Sequence, residues 1–361
     1  MPRCGNIRIY MKTVEIMLVF IPATISFLIG IGITPFITHI LYAYKMWKPT
    51  AGKTALDGMP AETFNALHKE REVGTPRFGG VVVWGSVLLT AALLSSLAYI
   101  IPDAFGALAF ISRSQTWVPF VAMLVGATVG FVDDLLEVRG KKGLRLSVRL
   151  GIITIISVLC ALWFYYKLGV SSISFPFLST PIHLGLWFIP FFMATMLFIY
   201  AGGVIDGIDG LAGGVFSIIF AAYAVIALFQ NQMDISAFCA AIFGGLLAFL
   251  WFNIPPARFY LSETGTMALT VTLTVVAFLT DTLGHGKGVA VLPIIALPLV
   301  VTVLSNIAQM VSKKVFHKKI LRIAPLHHHF EAIGWPPYKV TMRYWVVGVL
   351  AAIIGMSIAL L

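Results

Sequence analysis

Charge is what this sequence has least of. Lys, Arg, Asp and Glu together make up 11% of its 361 residues, where a soluble domain carries about 25%, too little polar surface to cover the chain in water. That excludes a soluble globular enzyme, a disordered tail and a collagen-like fibre, and splitting the chain into two domains does not improve the composition. Cysteine is scarce as well: Cys4, Cys160 and Cys239 lie far apart, form no metal-ligand spacing and set up no disulfide framework. No internal repeat, heptad array or low-complexity stretch is present. What abounds is hydrophobic residue, 59% of the chain, arranged in long runs.

Crossing a bilayer as a helix takes about 17–25 apolar residues. Ten runs qualify: 14–43, 79–101, 117–132, 150–168, 184–202, 211–229, 236–253, 267–283, 288–312 and 341–361. The first is too long, and too poor in a small-residue cleavage site, for a secretory signal. The expected fold is all-α and polytopic, a single transmembrane domain over residues 1–361. The nine intervening loops divide by charge. Odd-numbered loops and their edges hold 19 of the 25 Lys and Arg, among them Lys48, Arg77, Arg149, Arg258 and Lys313. Even-numbered loops hold only Arg113, Lys167 and Lys287. Basic loops face the cytoplasm, so both termini are expected outside, although Arg3, Arg8 and Lys12 run against that assignment. The net charge of +10 therefore reports orientation, and no nucleic-acid partner is expected.

The polar motifs fall on the same cytoplasmic side. Gly130-Phe131-Val132-Asp133-Asp134 closes the third run with adjacent carboxylates, costly near hydrocarbon unless a cation or proton compensates. A helix terminus emerging into water accounts for the pair; so does Mg²⁺ handling or activation of a nucleophile, since Mg²⁺ takes one or two carboxylates plus substrate phosphates. Asp206-Gly207-Ile208-Asp209-Gly210 is either a glycine-rich break between spans or a segment that approaches a nucleotide or metal closely. In the seventh loop Glu263 follows Asn253 and Tyr260, whose ring offers a face for a base; a solvated acid explains Glu263 equally well. His327-His328-His329 in the ninth loop suits contacts to an anionic substrate better than zinc, because adjacent histidines do not readily share one ion. Gly74-Thr75-Pro76-Arg77-Phe78-Gly79-Gly80 opens the second run, where its backbone N–H groups could meet phosphate, but on its own it reads as helix-opening chemistry. A transporter would more often bury its ionisable groups mid-span.

Together these motifs resemble the bacterial phospho-N-acetylmuramoyl-pentapeptide transferases (translocase I, MraY), of the polyprenyl-phosphate sugar-phosphate transferase superfamily. The resemblance runs from Gly74-Thr75-Pro76 to the last span, and its most specific piece is Pro325-Leu326-His327-His328-His329-Phe330-Glu331, followed by Gly334-Trp335 and Arg343-Tyr344-Trp345. It implies a Mg²⁺-dependent enzyme of the bacterial inner membrane that acts on UDP-MurNAc-pentapeptide and undecaprenyl phosphate, releasing UMP and forming lipid I. Asp133 or Asp134 would orient or deprotonate the lipid phosphate, and Glu263 would bind the metal. Asp206 and Asp209 would hold uridine or the metal surroundings, Tyr260 would stack on uracil, and the three histidines would contact phosphate. Asn253, Arg149 and Gln309 complete the substrate-binding set. A homodimer is compatible with the resemblance, but no small-xxx-small seam argues for one.

The chain also departs from that pattern. A Gly-Asp pair becomes Ser262-Glu263, and Asn-Leu-Thr-Asp becomes Gly203-Val204-Ile205-Asp206, losing an amide and a hydroxyl. A lysine position upstream of Gly74 holds Glu72, and another holds Arg149. Two other readings stay open: a related transferase using a different UDP-HexNAc, and a non-catalytic paralogue that binds lipid phosphate or nucleotide.

Overall fold

The computed structural model describes residues 3–49, 52, 73–111, 116–140, 143–178, 180–282 and 286–361, with side chains from residue 15 onward. Arg113, Lys141, Lys142, the Glu72 position and its neighbour Arg71 lie outside the described residues. Helices follow one another in the order α1 (Arg3–Ala43), α2 (Gly80–Ile100), α3 (Trp117–Val138), α4 (Leu146–Leu162), α5 (Phe188–Ala201), α6 (Leu211–Phe229), α7 (Met233–Asn253), α8 (Ser262–Thr282), α9 (Gly288–Ile295), α10 (Leu297–Phe316), α11 (Leu326–Ala332) and α12 (Pro337–Leu360). One antiparallel pair, Ser172–Ile173 with Ile182–His183, precedes α5. Among the described residues ten helices are long and apolar enough to cross a membrane, and the fold is all-α and polytopic.

The hydrophobic runs locate the spans, but three boundaries shift. α3 does not stop at 132; it continues to Val138, so the Asp pair lies inside a helix and not at its end. α8 starts at Ser262 instead of 267, which moves Glu263 from a loop into the first helical turn. The ninth run is two helices, because the chain breaks at Ala296 ahead of Pro298 and only Leu297–Phe316 is span-length. The histidine triplet is also helical, within α11.

α8 is the axis of the bundle. It packs against α3, α5, α2, α9 and α6, and nearly all of its residues are buried. A threonine-rich helix survives there because its hydroxyls return to their own backbone: Thr270 donates to the Thr266 carbonyl at 2.7 Å, and Thr272 to that of Ala268 at 2.7 Å. Small residues set how near its neighbours come. A Cβ at Gly130 of α3 would run into the Glu263 carbonyl oxygen, and one at Gly80 of α2 into the backbone of Gly265. These two glycines press the acidic end of α3 and the opening turn of α2 against the start of α8. At the other end of the bundle Phe164, Phe188, Phe192 and Phe278 pack ring to ring, and Asp281 accepts N–H groups from Ser174 at 3.2 Å and Val289 at 3.3 Å.

Candidate active site

A helix begins with backbone N–H groups that have no partner within it. At α8 those donors are met by carboxylates from elsewhere in the chain. Asp134 of α3, fully buried, accepts the Thr264 N–H at 2.9 Å and the Thr264 hydroxyl at 2.6 Å through Oδ2. Asp206, just before α6, accepts the Ser262 N–H at 2.7 Å. Negative groups at a helix N-terminus also gain from its dipole. The remaining oxygen of Asp134 lies 3.0 Å from Nε of Arg77 in an ion pair, and Arg77 reaches Glu137, which Lys48 meets at 3.0 Å. Burial alone would lower the Arg77 pKa, but Asp134, Glu137, Glu263 and Asp206 hold it above its ordinary value. Arg77 is a fixed cation.

Successive residues of a helix point about 100° apart, so Asp133 serves a different neighbourhood. Its Oδ1 accepts the Leu144 N–H at 2.5 Å, and its Oδ2 is 3.5 Å from Nη1 of Arg149. The same Arg149 nitrogen lies 2.5 Å from Oε1 of Glu263. Leu144 comes this close because Gly143 has no side chain: a Cβ there would sit 2.9 Å from Asp133 Oδ1. Glu263 is the most open of these carboxylates, 27% exposed against 1% for Asp133 and none for Asp134. Its second oxygen takes only a 3.4 Å contact from the Thr266 hydroxyl.

The segment after α5 is held from three sides. Asp209 accepts the Ala257 N–H at 3.2 Å, and its carbonyl accepts the Thr341 hydroxyl at 3.1 Å. Asn253, buried, accepts the Gly210 N–H at 2.9 Å and donates to the Phe259 carbonyl at 2.8 Å. Gly210 needs its positive φ of 76° for this turn, and Trp345 donates to its carbonyl at 3.2 Å. Asn253→Ala leaves two buried backbone groups without partners, at about 1–3 kcal/mol each. A lowered thermal midpoint of the solubilised protein is the expected result; an unchanged midpoint would exclude this bracing role.

The histidines divide. His327 and His328 are buried with ring centroids 4.4 Å apart, and both Nε2 atoms face Gly207, where a Cβ would lie 2.5 Å from His328 and 2.9 Å from His327. His328 Nδ1 is 2.7 Å from Glu331 Oε2, a pairing that places the proton on Nδ1 and turns Nε2 toward the segment carrying Asp206. His329 instead accepts the Arg322 N–H at 3.1 Å, within its own loop. Gln309 is spent there too: its amide donates to the Leu321 carbonyl at 3.0 Å and its oxygen accepts the N–H groups of Ile320 and Leu321. Tyr260 is partly exposed, and its backbone pairs with Gly79 at 2.8 Å and Pro76 at 2.9 Å.

Asp133, Asp134, Glu263, Arg149 and Asp206 thus form one network around the start of α8, with His327 and His328 beside it. Asp209, Asn253 and Gln309 sit where they brace loops. Sequence reading gave no site role to Arg77, Glu137, Thr264 or Glu331. The spacing held a cue for two of them: Glu137 is one helical turn beyond Asp133, and Glu331 three residues past His328. Among the described residues no group of three His, Cys, Asp or Glu side chains could hold a metal alone. The carboxylates at the start of α8 are nonetheless all hard oxygen donors: Glu263, Asp206 and Asp133. That set fits a dication that draws its remaining ligands from phosphate.

Residues 116–281 match the family described as Glycosyl transferase family 4. The chain is 33% identical over 298 residues to the phospho-N-acetylmuramoyl-pentapeptide-transferase of Listeria monocytogenes serovar 1/2a, covering 81% of this chain and 86% of that one. The protein of the same name from Listeria innocua is 34% identical with the same coverage. That of Geobacillus kaustophilus is 30% identical over 349 residues, covering 94% of this chain and 97% of the relative. With its ten span-length helices and acidic α8 start, the chain belongs to the phospho-N-acetylmuramoyl-pentapeptide-transferase family.

Proposed function

We propose that this multi-pass glycosyl-phosphate transferase moves phospho-MurNAc-pentapeptide from UDP-MurNAc-pentapeptide to undecaprenyl phosphate at the bacterial inner membrane. UMP is released and lipid I is formed. The observation that carries this reading is the meeting of Asp133, Arg149 and Glu263 at the start of α8, with the Nε2 atoms of two histidines facing the adjoining Gly207.

In the reaction a lipid phosphate oxygen attacks the sugar-bearing phosphorus of the UDP donor. A new P–O bond forms, the P–O bond to UMP breaks, and UMP leaves with the electron pair. Asp133 takes the proton of the incoming phosphate, and Arg149 offsets the charge that gathers on the oxygens in transfer. His327 and His328 contact the diphosphate, and Asp134 holds α8 in register. Family membership points to a divalent metal. Mg²⁺ is the ion proposed: Glu263 and Asp206 would hold it, and it would supply charge neutralisation for phosphoryl transfer.

The test is UMP release from UDP-MurNAc-pentapeptide and undecaprenyl phosphate by the purified protein, with and without Mg²⁺. Release that requires both substrates and the metal is the expected result. Silence of a folded protein would remove the reading, and release only from another UDP-HexNAc would reassign its substrate. In the same assay Glu263→Asp withdraws the carboxylate by roughly 1 Å from Arg149, a misplacement able to cost about 10²-fold. Lower kcat and a higher Mg²⁺ requirement are expected; unchanged values for both would show that the longer side chain carries no function.

A further inference from the structure

Ser262 has two properties that its place in the fold does not require. Its φ is +57°, in the left-handed region that penalises any residue with a Cβ and suits glycine. Its hydroxyl is buried and has no hydrogen-bond partner. A serine opening a helix ordinarily spends its hydroxyl on a backbone N–H two or three residues ahead. Here that role is filled, because the Thr264 N–H goes to Asp134 and the Gly265 N–H to the Leu261 carbonyl at 3.2 Å. The helix gains nothing visible from this side chain, yet carries its backbone strain.

Strain and an orphaned polar group coincide at the residue whose N–H is held by Asp206 and which precedes Glu263, and such outliers cluster at ligand sites. Across from this turn, Gly203 presents bare backbone: a Cβ there would lie 3.2 Å from Thr266 Cβ. We propose that Ser262 is a substrate-binding residue whose hydroxyl donates to a non-bridging phosphate oxygen of the uridine diphosphate. Rotation about χ1 re-aims a serine hydroxyl, and Arg149, whose Nη1 lies 2.5 Å from Oε1 of the adjoining Glu263, offers positive charge to an anionic acceptor. This deepens the transferase reading and rests on it for the identity of the nucleotide.

The experiment measures UDP binding by calorimetry, and thermal midpoints, for the full-length protein, Ser262→Ala and Ser262→Gly. Alanine keeps the Cβ and loses the hydroxyl; glycine loses both. Both variants are expected to bind UDP at least about tenfold more weakly, the worth of one hydrogen bond to a charged group. Ser262→Gly is at the same time expected to melt about 2–4 °C higher than wild type as the strain is released. Stability and affinity then move in opposite directions, which a purely structural serine cannot produce. UDP affinity at the wild-type level in either variant overturns the proposal, as does a Ser262→Gly midpoint below wild type. A wild-type protein that binds UDP without releasing UMP defeats the transferase reading alone, whereas one that binds no UDP defeats this proposal.

Discussion

Asp133→Asn is expected to lower UMP release by about 10²–10⁴-fold, the usual worth of a positioned general base, in a protein that still folds. The two acids of the pair are not equivalent. Asp134 has both oxygens committed, one to Thr264 and the other to Arg77. Asp133 has one oxygen on the Leu144 N–H, while the other faces Arg149 at 3.5 Å, a loose contact that leaves it able to take a proton. An asparagine at 133 keeps an oxygen for Leu144 and puts an amide in place of the basic oxygen, while Arg149 keeps Glu263 as its partner. The thermal midpoint of Asp133→Asn should therefore stay near wild type while kcat collapses. If the variant retains half of its activity, the proton goes elsewhere, with Glu263 the next group to test.

Arg77→Leu is expected to be the most destabilising single change in the site. Arg77 is the cation paired with both Asp134 and Glu137, and removing one partner of a buried pair costs about 3–5 kcal/mol because a charge is left uncompensated. The measurement is a denaturation series on the solubilised protein. Its internal control is a second substitution: Asp134→Asn in the Arg77→Leu background removes the stranded charge and should recover part of the loss. A double variant no more stable than Arg77→Leu alone would mean that packing of the arginine side chain, and not charge, sets the effect.

The ten spans were legible because each is a run of apolar residues near bilayer length, and the acidic groups stood out against that background. The start of α8 was hidden by its own chemistry. Ser262-Glu263-Thr264-Gly265 is too polar for a hydropathy window, yet it is helical because Asp134 and Asp206 satisfy its N–H groups. The division of labour between Asp133 and Asp134 was equally out of reach. Adjacent letters in a sequence point to different neighbours on a helix, and the Asp134 partners lie on separate segments, one before α2 and one in α8. Arg77 read as part of a helix-opening turn, since its value depends on Glu137 and Asp134 arriving on another span. Gln309 carries no pattern at all; only the course of the chain over 320–321 gives its amide a task.

Asp134 and Thr264 are 130 residues apart, and that interval has a meaning during synthesis at the ribosome. When α3 enters the membrane, α8 has not yet been translated, and the nascent helix must be inserted with two carboxylates near its C-terminal end. Isolated acids in a span are costly to insert. Arg77, by contrast, is already in place, because it precedes α3 in the chain. The first ion pair of the site can form between consecutive spans as they leave the translocation channel, and the threonine contact replaces solvent only when α8 follows. The site closes only once α8 is in place, so chains truncated before that span are expected to release no UMP.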